Sequence, residues 1–139
     1  MKSYKLPLLT VDCVVFYCNS VLLITRKSSP FKNFLALPGG FVDIGESVEY
    51  ACVRELFEET NLRLDPTKLK LVGVYSTPGR DPRRDTVTIA YCAHIKDNIN
   101  IIAGDDAASV EFVKNWNEKK LAFDHLSIIN DAHSRCINE

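Results

Sequence analysis

Apolar and β-branched residues run nearly unbroken from Thr10 to Cys18, interrupted by Asp12, and resume at Val21-Leu22-Leu23-Ile24. Such runs predict strands covered on both faces, and Asn19-Ser20 between them predicts a two-residue hairpin turn. Pro and Gly are dense from Pro30 to Gly45, which argues against long regular structure apart from a short apolar piece at Phe34 to Leu37. From Ser47 the period changes. Val48, Cys52 and Leu56 recur at helical spacing, Ser47 is a natural N-cap, and Asp65-Pro66 lies beyond the stop, predicting a helix of about four turns. Residues 69 to 77 read as a strand. Val87, Ile89, Tyr91, Ala93 and Ile95 then alternate with Thr86, Thr88, Ala90, Cys92 and His94, the period of a sheet strand with one face more buried. Gly104-Asp105-Asp106 predicts a turn and Val110 to Val113 a short strand. Asp124 is placed to cap a last helix with apolar residues Leu126, Ile129, Ala132 and Cys136. The fold class that follows is α/β or α+β, with helices packed on a mixed sheet.

Composition narrows the function without naming it. With 139 residues, 46% of them hydrophobic, residues 1–139 are expected to form a single domain. A net charge of -1 gives no general pull toward nucleic acid or an acidic membrane, so neither is expected as a partner. The segment Met1 to Pro7 is a poor signal peptide and no stretch is long enough to span a bilayer, which predicts a soluble, cytoplasmic protein. The five cysteines (Cys13, Cys18, Cys52, Cys92 and Cys136) are scattered, with no Cys-x-x-Cys pair, and are expected to be reduced and mostly buried.

The first helix carries the candidate chemistry. Glu55 and Glu59 are four apart and Glu58 is three after Glu55, so three carboxylates share one surface, with Arg54 four before Glu58. Taken alone, such a helix is as well explained by a solvated face. Upstream, Leu37-Pro38-Gly39-Gly40 would bring bare backbone and its carbonyl oxygens close to the helix start, followed by Glu46. Oxygen ligands without nitrogen or sulfur indicate Mg²⁺ or Mn²⁺, whose usual company is a substrate phosphate.

The spacing runs Gly40, five residues, Glu46, seven residues, then Arg54-Glu55-Leu56-x-Glu58-Glu59-x-Asn61-Leu62. This pattern closely resembles the Nudix box, G-x5-E-x7-R-E-U-x-E-E-x-G-U with U a bulky aliphatic, and meets eight of its nine specified positions over 23 residues. The departure is Asn61 where the family has Gly, and Asn is the next best residue for a left-handed helix end. The resemblance implies the Nudix fold, a mixed β-sheet sandwiched between helices. It also implies roles: Glu55 and Glu59 as direct metal ligands, Glu58 as a further ligand or outer partner, and the Gly39 carbonyl completing the metal shell. Arg54 is then expected to orient the carboxylates through Glu58, and Glu46 to brace the loop.

The likeness continues outside the box. Phe31 to Phe41, the loop Tyr75 to Arg83, and Leu121-Ala122-Phe123-Asp124-His125 are similar to the ADP-ribose pyrophosphatase branch, which cleaves ADP-ribose to AMP and ribose 5-phosphate. Members usually carry Gly-His after Asp-Pro-Arg and a Trp shortly before Ala-Leu-Pro, where this chain has Arg84-Asp85 and Leu35. Arg80 and Arg83 are candidate phosphate clamps, since a guanidinium pairs bidentately with phosphate oxygens. Arg26 and Phe31 are candidates for the nucleotide pocket, with Phe31 able to stack an adenine. Asp106, or its neighbour Asp105, stands where the family places one more catalytic carboxylate, with Glu111 in reserve, and turn chemistry explains the acidic pair equally well. His125 is expected to be structural. The resemblance implies Mg²⁺ (or Mn²⁺) as cofactor, a small-molecule nucleotide as partner and a homodimer. Three alternatives stay open: a nucleoside triphosphate pyrophosphohydrolase of the 8-oxo-dGTP type, an RNA-end hydrolase, and a non-catalytic nucleotide-sensing module.

Overall fold

The computed structural model describes residues 6–97, 100–105 and 107–137. Strands β1 (Leu8–Tyr17), β2 (Ser20–Arg26), β3 (Leu35–Ala36) and β4 (Gly39–Phe41) precede helix α1 (Val48–Thr60), and β5 (Lys70–Tyr75), β6 (Thr86–His94) and β7 (Ala107–Val113) precede helix α2 (His125–Cys136). The strands form one mixed sheet in which β1 pairs parallel with β6 and the other pairings are antiparallel. Alternation along β1 builds both layers. Val11, Cys13 and Val15 pack with Ala51, Cys52 and Leu56 of α1, whereas Val14 and Phe16 pack with Ile128, Ile129 and Ala132 of α2. Among the described residues no helix is long and apolar enough to cross a membrane.

The sheet divides where a ligand would enter. β1 and β2 pair only at Phe16–Val21 and Tyr17–Ser20. Further back along β1, β4 pairs with residues Thr10 to Asp12, while β2 pairs with β3 and β7. The resulting cleft lies between β1 with β4 on one side and β2 with β3 on the other.

Several local expectations shift. The tight turn is Cys18-Asn19, both at positive φ (47° and 59°), with Tyr17 paired to Ser20, so the turn sits one residue earlier than Asn19-Ser20 predicts. Two successive positive-φ residues match the twist of the flanking strands. The α2 stripe is also displaced: His125, Ile128, Ile129 and Ala132 are buried, and Leu126 faces outward. Asp124 makes no side-chain capping bond, because its carboxylate is taken by Arg80. Strand β4 lies within the Gly-rich segment, where no strand is expected from the pattern. Its glycines are needed for close approach, since a Cβ on Gly39 would lie 2.2 Å from the Val11 carbonyl oxygen.

Candidate active site

Helix α1 presents the acidic edge. Ser47 accepts from the Tyr50 amide at 3.2 Å, and Asn61 ends the helix in the left-handed conformation (φ 67°) with its amide donating to Phe57 O. Burial of Ala51, Cys52, Leu56 and Thr60 fixes the rotation of the helix, turning Glu55 and Glu59 toward the cleft. Gly40 allows the approach, because a Cβ there would lie 2.5 Å from the Glu55 carboxyl carbon.

Arg54 ties the edge to the preceding loop. Its Nε and Nη2 donate to the two Glu46 oxygens at 2.5 and 2.9 Å, Nη1 donates to Glu55 at 2.9 Å, and Nη2 donates to Phe41 O at 3.1 Å. Glu58 is reached more loosely, at 3.3 Å. The expected pairing with Glu58 is therefore present, with Glu46 and Glu55 held more tightly. The Arg54 guanidinium, helped by the Asp43 amide, lowers the Glu46 carboxyl to about 2.

Glu59 is the unusual group. Its Oε2 is buried without a hydrogen-bond partner, and Oε1 accepts from the Gly39 amide at 3.4 Å. Burial, then the Glu55 charge, pushes its carboxyl up to about 9, and burial also raises Glu55. An unsatisfied buried carboxylate beside a second carboxylate fits a cation. Among the described residues no three His, Cys, Asp or Glu side chains are gathered to hold a metal ion by themselves. Two carboxylates that leave room for backbone oxygen and water suit a hard divalent cation that keeps part of its shell outside the protein.

The edge opens into a cavity of about 450 Å³, a size that holds a small-molecule ligand. Glu55 and Glu59 form one wall, and Arg26, Lys27, Arg80 and Arg83 line the same space. Arg80 is already engaged: Nε and Nη2 bind Asp124 at 2.9 and 2.7 Å, and Nη1 binds Thr86 at 2.7 Å. It thus builds the wall more than it offers a free clamp. Arg83 pairs with Asp81 at 2.8 Å and keeps more exposure. Phe31 does not line the cavity; it packs edge-on at 4.9 Å behind Phe123, which does line it, with the Arg26 guanidinium 5.0 Å from the Phe123 ring centre. Leu35 packs into the core, and Arg84 stands 5.9 Å from the Phe41 ring.

A second recess, of about 280 Å³, is lined by Glu55, Glu58, Glu59 and Asp105. The Gly104 amide donates to Glu59 O at 2.9 Å, bringing Asp105 there. Asp106 lies outside the described residues. Glu111 pairs with Leu23 within the sheet and lines neither recess. Asp12, Phe123 and His125, to which the sequence pattern assigns no part in the site, are all on the cavity wall. The signal for Asp12 is its charge inside an apolar strand.

The NUDIX domain family model matches residues 6–131. The chain belongs to the Nudix family. It is 47% identical over 134 residues to the ADP-ribose pyrophosphatase of Methanocaldococcus jannaschii, covering 94% of this chain and 78% of that protein. It is 35% identical to the ADPR responsive transcriptional repressor NtrR of Acinetobacter baylyi, covering 99% of this chain and 58% of the repressor. In structure it is similar to the NUDIX domain of Shewanella oneidensis NrtR complexed with ADP ribose, at a TM-score of 0.87 and 32% identity, covering 95% of this chain and 90% of that one. For this Nudix chain the mixed sheet between two helices is thus the fold of its family.

Proposed function

We propose that this Nudix chain hydrolyses ADP-ribose to AMP and ribose 5-phosphate with Mg²⁺, or Mn²⁺ in its place. The observation that carries the reading is one cavity lined both by Glu59, whose buried Oε2 has no hydrogen-bond partner, and by Arg26, Arg80 and Arg83. The pyrophosphatase likeness at 47% identity and the ADP-ribose complex of a structural relative support the substrate. Glu55 and Glu59, with the Gly39 carbonyl and Glu58 as further partners, would hold a divalent cation, which would supply Lewis acidity toward the diphosphate and the attacking water. Arg54 and Glu46 hold Glu55 in place, Arg26 and Arg83 offset phosphate charge, and Phe123 with Phe31 behind it forms an apolar wall for the base. Asp105, which lines the recess beside Glu55, Glu58 and Glu59, serves as the proton acceptor in this reading, with its neighbour Asp106 as the alternative. The five free cysteines support a reducing, cytoplasmic setting, and the exposed Leu71 and Val74 on the edge strand β5 support a homodimer.

The test is a hydrolysis screen of ADP-ribose, NADH, diadenosine polyphosphates, GDP-mannose and 8-oxo-dGTP with products identified. AMP and ribose 5-phosphate from ADP-ribose are expected, and Glu59→Gln should lower turnover by roughly a hundredfold or more. Turnover confined to triphosphates would overturn the substrate. The repressor likeness favours one second reading, an ADP-ribose sensor. Calorimetric binding of ADP-ribose with no turnover in Mg²⁺ or Mn²⁺ would select it.

A further inference from the structure

His125 and Asp12 form a buried pair that the reaction as proposed does not use. Asp12 follows the alternation of β1 onto the α2 face, in phase with Val14 and Phe16, and meets the first residue of α2 there. Asp12 Oδ2 accepts from Thr88 Oγ1 at 2.7 Å, while Asp12 Oδ1 lies 3.5 Å from His125 Nε2. On the other side of the ring, His125 Nδ1 accepts the Leu37 amide at 3.0 Å. A backbone N–H can only donate, so Nδ1 carries a lone pair, the ring is neutral, and its proton sits on Nε2 facing Asp12. Burial lowers the His125 pKa in keeping with that neutral state.

Leu37 begins a segment whose successive residues are each held in place, the last two of them against the glutamates. The Pro38 carbonyl accepts from the Cys13 amide at 2.9 Å, the Gly39 amide donates to Glu59 Oε1 at 3.4 Å, and Gly40 packs against the Glu55 carboxyl. We propose that His125 is a positioning residue, locked in its Nε2–H form between Asp12 and the Leu37 amide, that holds the Leu37–Gly40 segment against Glu55 and Glu59 and so sets their affinity for a divalent cation. This rests on the reading of those two glutamates as the cation edge and is independent of the substrate.

Two variants separate positioning from mere support. Asn at position 125 keeps an acceptor within reach of the Leu37 amide, whereas Gln places its amide group farther out, toward Asp12. Calorimetric titration of the substrate-free protein with Mn²⁺ should show His125→Gln weakened by about tenfold or more, the scale of losing a partner that orients a metal shell. His125→Asn should stay within about threefold, on the same scale. Equal weakening in both variants, or parent-like binding by His125→Gln, would overturn the proposal. If either variant fails to fold, imidazole ¹⁵N NMR of the unaltered protein at neutral pH decides. Nε2–H with bare Nδ1 is expected, and an Nδ1–H or doubly protonated ring would overturn it. Loss of ADP-ribose turnover with these two results intact would instead count against the substrate reading.

Discussion

Glu59 joins burial to a missing partner, and that combination makes pH and metal interdependent. Its carboxyl stands at about 9 in the fold against 4.5 for an ordinary glutamate. Its contribution to stability is therefore whole below the unfolded value and is lost as pH rises through the folded one. The melting temperature of the metal-free protein should fall as pH rises across that window, and Glu59→Gln should flatten the fall. Binding of Mg²⁺ at neutral pH should release a proton, measurable as a buffer-dependent calorimetric heat. An equal slope in parent and variant would assign the pH dependence elsewhere. Arg83 and Arg80 separate in the same way. Arg83→Gln should raise KM for ADP-ribose by about tenfold, the size of one charge-assisted phosphate contact, and should lower the melting temperature less than Arg80→Gln does, because Asp81 loses the guanidinium but keeps the Arg83 amide at 2.9 Å. Arg80→Gln should lower the melting temperature as well, because it leaves Asp124 without its bidentate partner. The roles of such residues are only partly legible in the sequence: Arg80 and Arg83 look alike there, and what separates them is Asp124, 44 positions away from Arg80.

At the scale of elements, α1 combines a buried stripe, a Ser47 cap and a left-handed stop at Asn61. All three follow from local physics, which is why the helix is legible in the chain alone. Asn61→Gly should leave stability within about 0.5 kcal/mol and turnover unchanged, whereas Asn61→Ala should cost about 1 kcal/mol for its strained φ. Leu56 is fully buried between α1 and the sheet, so Leu56→Ala should cost about 3 kcal/mol in denaturant unfolding. The short strands β3 and β4 are not legible in this way. Their two and three residues carry too little periodicity, and they exist because β1 and β2 diverge and leave backbone groups to be paired.

For the whole molecule, the cavity forms where the sheet divides, with α1 supplying acid and the β5–β6 connection supplying arginine. A ligand that needs both walls should stabilise the fold only when charge on both sides is matched. ADP-ribose with Mg²⁺ should therefore raise the melting temperature more than either alone, by linkage of binding to folding. Equal shifts with ADP-ribose alone would place the ligand away from the acidic edge.

The chain by itself determined the elements with strong periodicity, the family signature from Gly40 to Leu62, and the side chains of the acidic edge, because these depend on residue spacing along one helix and its approach loop. Only the tertiary structure decided that β1 lies parallel to β6, that Asp12 and His125 meet, that Phe123 and not Phe31 faces the cavity, and that Arg80 is bound to Asp124. Those outcomes join residues far apart in sequence, where no local pattern specifies which distant partner a strand or a charge will find.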